Sequence, residues 1–287
     1  MEETPSTQEL AVGPRVTTLI VTRNCADALS RSLTALAKSA NPETLETVVV
    51  DMGSRDGSGT LDAEFPSIHL LRLPKYFGST KALNIGIRTA KGEFVLLLPP
   101  GIEVMPDTIG RLLARLESDS DAAAVCTGVD QTYALPSPDA LKEFWRTGRF
   151  PGAQSIDPSA ESVTVEFPYG ATMLIRRGFL AGMNYFDAKY GNFGPELDLC
   201  YRIRTGGKKI LALPGVRVAG KSALQPVESP LHAADRVNGA AVYLGKALGM
   251  GAAIGFRLGA IFSALGHGEL KTFFGLVSGQ KIDGTQE

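Results

Sequence analysis

Between Arg15 and Gly128 the chain alternates short apolar runs with stretches of helical spacing, and this alternation constrains the fold more than any other feature. The runs RVTTLIV, ETVVVD, IHLLRL, EFVLLL and AAAVCTG are rich in Val, Ile and Leu and read as strands. Between them, ADALSRSLTALAKS repeats Leu29, Leu33 and Leu36 at helical spacing. GSTKALNIGIRTAKG reads as a helix with Ser79 as N-cap and Gly92 as its stop. MPDTIGRLLARLE places Pro106 near a first turn and Ile109, Leu112, Leu113 and Leu116 on one face. Strands that are apolar throughout and alternate with helices imply a mostly parallel α/β sheet covered on both faces.

Beyond Gly128 the pattern loosens. Residues 130–162 are rich in Pro, Ser, Asp and Gly and read as a long loop region, functional or disordered, holding the one tryptophan, Trp145. SVTVEF and ATMLIRR read as two strands, PELDLCYRIRTGG as a helix ending at a glycine pair, and KKILALPGVRVAG as two short strands. From about His232 the chain turns helical. The expected organisation is a disordered arm over 1–14, an α/β domain over 15–230 with halves 15–128 and 129–230, and a C-terminal helical extension over 231–287.

Composition excludes several roles. With 29 basic and 30 acidic residues the chain lacks the basic surface that nucleic-acid binding needs. Three scattered cysteines give neither a metal spacing nor a disulfide framework, as expected in a reducing cytoplasm. The polar start MEETPSTQEL is unlike a signal peptide, and the uncharged stretch 247–256 is too short to span a bilayer.

VTRN, VVVDMGSRDGS, YFGSTKALNIGI, AKGEFVLLL, FPYGATMLIRR and FDAKYGNFGPELDLCYRIRTGGKKILALPGVRV follow one another in a familiar order. Together they resemble the family-2 glycosyltransferases of the GT-A fold, a Rossmann-like mostly parallel sheet flanked by helices, of the kind that includes bacterial rhamnosyltransferases. The resemblance covers roughly Val16 to Ala219. It implies a nucleotide-sugar donor at the carboxyl ends of the first strands and a glycan or lipid-linked acceptor, in cell-surface polysaccharide synthesis. Thr22, Arg23 and Asn24 match the turn under the nucleotide, and Asp51 the acid that contacts base or ribose. A strand-end carboxylate such as Asp51 also caps turns, and Ser54, Asp56 and Gly57 suit a tight loop whether or not Ser54 touches donor. Lys81, near a helix N-terminus, is placed either for phosphate or for solvent. Glu196 stands where the family's base is usually an aspartate, with Pro195 in place of the glutamate before it, and Asp198 two residues on would support it by pairing Arg202; acids also favour a first helical turn for its own sake.

One family motif is missing. The strand FVLLL should run into Asp-x-Asp, whose acids hold a divalent metal on the diphosphate; Pro99 and Gly101 stand there instead. Gly220 replaces a late histidine. Mg or Mn, the family's usual ions, lose both ligand sources. Three readings follow: fixed cations, Lys221 first with Arg72, Lys75 and Lys81 behind it; Glu103 as a substitute acid; or a silent binding protein. Tyr133, Trp145 and Phe150 either stack on an acceptor sugar or fill a satellite core. The apolar helices over 236–278 either touch a membrane surface or pack on protein, the latter favoured because they lack a polar face.

Overall fold

The computed structural model describes residues 13–40, 44–224 and 229–284. The arm expected over 1–14 lies outside the described residues except for its last two positions.

The first half forms as the alternation predicts. β1 (Val16–Thr22), β2 (Leu45–Asp51), β3 (Ile68–Arg72) and β4 (Phe94–Leu97) pair in parallel, with β1 between β2 and β4. The register is level at the carboxyl ends: Thr22 lies opposite Asp51, and Asp51 opposite Arg72. Because side chains alternate across a strand, the two faces take different partners. Leu19, Val21, Val48 and Val50 pack with Ala82 and Ile87 of α2 (Ser79–Thr89). Val16, Ile20 and Val49 pack with Leu29 and Leu33 of α1 (Ala26–Leu36) and with Ile109, Leu112 and Leu116 of α3 (Thr108–Glu117). Fully burying such side chains contributes about 1.5–3 kcal/mol each.

β5 (Ile102–Val104) leaves the sheet just after β4, while β6 (Ala122–Thr127) returns to it. The region 130–162 is more ordered than expected. It holds a small ribbon of β7 (Gln131–Thr132) and β8 (Gln154–Ser155), and α4 (Pro138–Thr147), capped by the Ser137 hydroxyl accepting from the Ala140 amide at 3.2 Å. SVTVEF and ATMLIRR give β9 (Val163–Val165) and β10 (Met173–Arg176), which occupy separate places in the sheet. β10 inserts antiparallel between β4 and β6; β9 forms the far edge against β11 (Lys209–Leu213). The strand order is β3-β2-β1-β4-β10-β6-β11-β9. α5 (Arg177–Gly182) and α6 (Pro195–Thr205) connect β10 to β11, and β12 (Val218–Gly220) pairs antiparallel with β5. α7 (Pro230–Ala247), α8 (Met250–Gly266) and α9 (Leu270–Val277) then pack on one another.

Two glycine positions correct the helix ends read from sequence. Ser79 is the first helical residue, not the cap; Gly78 caps α2 at φ +79°, and its Cβ position lies 2.5 Å from the Ile282 carbonyl oxygen. α2 stops at Ala90, and Gly92 serves β1 instead: a Cβ there would lie 2.6 Å from the Thr17 nitrogen and 2.8 Å from the Val16 carbonyl carbon. Backbone atoms of a central strand cannot yield as a side chain can. Gly92→Ala is therefore expected to cost about 1–3 kcal/mol of overpacking strain, read as a lower urea midpoint with an unchanged slope.

Candidate active site

The level ends of β1, β2 and β3 open one cleft of about 440 Å³, lined by Arg23, Asp51, Ser54, Asp56, Thr60 and Lys75 among others. The loops between them are braced by side chains. The Asp51 carboxylate, nearly buried, accepts from the Ser54 amide at 3.1 Å and from its hydroxyl. Ser54 Oγ in turn accepts from the Asn24 amide at 2.9 Å, and Asn24 Oδ1 from the Arg55 amide at 2.7 Å. Asn24 sits at φ +50°, a left-handed position that asparagine tolerates. Thr22 is wholly buried, its hydroxyl 3.0 Å from Cys25 Sγ. The Arg23 guanidinium lies 3.9 Å from the Tyr76 ring centre. Of these residues, Arg23, Asp51 and Ser54 line the cleft, while Thr22 and Asn24 lie behind its lining.

Asp56 links two elements. One oxygen accepts from the Ala26 amide at the start of α1 (2.9 Å), the other from the Ser58 amide that opens the 3₁₀ turn Gly57–Ala63 (3.0 Å). Burial works to raise its carboxyl, but the hydrogen bonds outweigh this and hold it below the usual aspartate range.

The cations are unequally placed. Arg72, which also lines the cleft, pairs with Asp62 at 2.6 Å and donates to the Gly59 carbonyl at 2.7 Å. Lys75 and Lys81 stand 5.7 and 3.8 Å from the Phe77 ring centre. The first amides of α2 are taken by protein: Ser79 donates to Asn192 Oδ1 and Thr80 to the Gly191 carbonyl, so Lys81 does not stand over an open helix end. Lys221 lies beside the end of β4. Gly220 pairs with Ile102, the Ala223 amide donates to the Pro100 carbonyl at 2.8 Å, and a Cβ on Gly101 would lie 2.4 Å from the Lys221 carbonyl oxygen. A carboxylate side chain at position 101 has no room in this packing. Glu103 turns to Arg31 at 3.4 Å. Among the described residues no cluster of three or more His, Cys, Asp or Glu can hold a metal.

On the other side of the strand ends, α6 begins at Gly194, held at φ +111° with its Cβ position 2.4 Å from the Tyr190 ring. Only glycine fits there. Glu196, in the first turn, is open to solvent, yet the protein dense about its carboxyl pushes it above the ordinary glutamate range. Asp198 points the other way and is wholly buried. It pairs with Arg202 at 2.7 Å, as expected from the sequence, and also with Lys246 at 2.7 Å and the Tyr190 hydroxyl at 3.1 Å. Asp198 thus has no direct path to a substrate.

The aromatic residues divide. Phe150 is buried, stacked on Phe144 at 4.1 Å and edge-on to Phe167 and Tyr169; Trp145 packs on Phe193 and Phe256. Tyr169, which the sequence reading passed over, is the exposed member of the cluster, and the nearby Glu196 charge adds to burial in raising its phenol.

The model of the Glycosyl transferase family 2 family matches residues 17–181, more than half of the chain. The chain belongs to this family. Relatives include the succinoglycan biosynthesis protein ExoO of Rhizobium meliloti (strain 1021), 34% identical over 120 residues, 41% of this chain and 33% of that protein. The undecaprenyl-phosphate 4-deoxy-4-formamido-L-arabinose transferase of Pseudomonas fluorescens (strain Pf0-1) is 33% identical over 95 residues, 31% of this chain and 28% of that protein. The matches thus span about a third of these relatives' lengths. Among solved structures, the mannosyltransferase PcManGT of Pyrobaculum calidifontis with GDP-Man and Mn2+ aligns at TM-score 0.58 and 18% identity, over 93% of this chain and 86% of that one. GalNAc-T7 with UDP, GalNAc and Mn2+ aligns at 0.61 and 16%, over 83% and 48%. These likenesses give family 2 glycosyltransferases of the GT-A fold as the chain's structural class. The family match ends before α6, so it does not reach Glu196.

Removing the Asp56 carboxylate tests the loop architecture. Asp56→Ala frees two helix-start amides at once and is expected to lower stability by about 1–2 kcal/mol, measured by chemical unfolding at pH 7. Since the native pKa lies below the unfolded one, this contribution is present at neutral pH and is lost as pH falls through the native value. Wild type and variant therefore converge in acid.

Proposed function

We propose that this chain is an inverting glycosyltransferase that moves a sugar from a nucleotide-sugar to a glycan or lipid-linked acceptor, without metal ligands from the β4 end. The observation that carries the reading is Glu196: a solvent-open carboxylate in the first turn of α6, raised by the protein dense about it, with no cation paired to it among the described residues. A raised carboxyl is a better proton acceptor, and the role needs one. The acceptor hydroxyl oxygen forms its bond to the donor sugar's anomeric carbon and passes its proton to Glu196. The sugar–phosphate bond breaks, and the nucleoside diphosphate leaves with the electron pair.

That leaving charge needs a cation. Manganese or magnesium would supply it in the family's usual arrangement, but the packing of Gly101 against Lys221 leaves no side chain there to hold the ion. Lys221 beside β4 and Lys75 in the donor cleft are the fixed charges we assign to it. The base or ribose falls to Asp51 and Arg23, with Ser54 and Asn24 holding the loop. A silent binding protein is the alternative, and the unpaired, raised Glu196 argues against it.

The acceptor side extends to lipid. Nine large apolar residues between Leu248 and Val277 are exposed, Met250 at 70% and Phe262 at 68% among them. One side of α8 and α9 packs on α7 and on each other, and the exposed apolar side is the face we assign to lipid. No helix is long and apolar enough to cross a membrane, among the described residues. These two helices carry Arg257 and Lys271 and no acid, which suits an anionic lipid surface.

Calorimetry with UDP and GDP, with and without manganese, tests the donor site: binding that persists in EDTA is expected. Turnover abolished by EDTA and restored by manganese contradicts the fixed-cation reading. Glu196→Gln should lower kcat about 10²–10⁴-fold with nucleotide affinity unchanged; an unaffected kcat removes Glu196 as the base. In the wild type, kcat should fall in acid around a pKa above the ordinary glutamate value. For the lipid face, Phe262→Asp with Phe274→Asp should abolish flotation with phosphatidylglycerol vesicles. A wild type that stays off the vesicles overturns that contact.

A further inference from the structure

We propose that Lys246 is a positioning residue for Glu196, and that α7 is the clamp that fixes the base-bearing segment. The proposal rests on the reading of Glu196 as base.

The segment 187–205 is held at both ends by α7. At one end Asp235, nearly buried, accepts from the Asn192 amide at 3.0 Å and the Phe193 amide at 2.9 Å, and also from the Ile282 amide at 2.8 Å. The fit is close: a Cβ on Gly191 would lie 1.9 Å from Asp235 Oδ1. At the other end Lys246 Nζ lies 2.7 Å from Asp198 and 2.8 Å from Asp187. Its own carbonyl accepts from the Tyr201 hydroxyl at 2.7 Å. Arg202 completes the set, pairing Asp198 and donating to the Met183 carbonyl at 2.7 Å and the Tyr185 carbonyl at 3.1 Å.

This network reaches Glu196 by contact. Lys246 fixes Asp198 Oδ1, to which the Tyr190 hydroxyl also donates. The Tyr190 ring lies flush against Gly194, the residue that caps the helix two positions before Glu196. The charges of the network are met within it: Lys246 and Arg202 pair with Asp198, Lys246 also with Asp187, and Lys189 stands near Asp187, so these cations are satisfied away from the base. The other titratable groups about Glu196 are Tyr169 opposite it and Cys200 one turn along α6. A buried group left unpaired is costly, so the four charges act as one unit.

The pairing gives the test a sign. Lys246→Met leaves the network one charge more negative, so the acid-limb pKa of kcat should rise. Asp198→Asn leaves it one charge more positive, so that pKa should fall. The double variant restores the wild-type charge and should return it toward the wild-type value, and Lys246→Arg should retain most activity. The assay is hydrolysis of UDP-GlcNAc or GDP-Man, whichever the wild type turns over, because attack by water needs the same base and no acceptor. Lys246→Met should lower kcat at least tenfold with KM for the donor within threefold. Shifts of the same sign in both single variants, or a Lys246→Met kcat equal to wild type while Glu196→Gln is silent, overturn the clamp and leave the base standing. A wild type that hydrolyses neither donor overturns the base reading instead. The clamp is then still read by hydrogen exchange: Lys246→Met should speed exchange across 190–199 with melting temperature kept by the double variant, and unchanged exchange there overturns it.

Discussion

The level ending of three parallel strands is the constraint on which the rest of the molecule depends. Because β1, β2 and β3 run in one direction and finish in register, the loops after Thr22, Asp51 and Arg72 meet at one edge. A parallel sheet cannot close its strands with tight hairpins, so each loop is free to carry function. Here that freedom is spent on a mutually braced floor. Asp51 holds Ser54, Ser54 holds Asn24, and Asp56 ties the same loop to α1. The carboxylates fix the shape of the cleft before any ligand arrives.

The antiparallel strand β10 then sets the second half of the site. Inserted between β4 and β6, it separates the parallel strands β1–β4 from β11 and directs the chain through α5 into the segment that bears Glu196. The end of β4 lies between the two halves. There the backbones of Gly101 and Gly220 approach so closely that neither tolerates a side chain. The two glycines are thus packed against each other, and Lys221 follows directly.

The strands and the loop after β2 were legible in the sequence because their signals are local: β-branched runs, Gly-Ser-Asp turns, leucines at helical spacing. α4 was legible in principle from Ser137-Pro138, a cap followed by proline at the first helical turn, but it lay inside a stretch whose composition suggested a loop. The placement of β10 and β9 was not legible, since register between distant strands depends on packing that no short window holds. Asp198 shows the same division. Its pairing with Arg202 follows from spacing along one helix, whereas its pairing with Lys246 joins residues 48 positions apart. Gly92 and Ser79 misled because both sit at plausible helix ends while answering to β1 and to Asn192.

The account's central claim is that fixed cations near β4 receive the diphosphate while Glu196 faces the reacting sugar. A crystal structure of the protein with UDP-GlcNAc or GDP-Man, grown in EDTA, tests it most directly. The account predicts diphosphate oxygens within hydrogen-bonding reach of Lys221 or Lys75, and the sugar's anomeric carbon turned toward the Glu196 carboxylate. A diphosphate away from both lysines, or a sugar turned from Glu196, would contradict it.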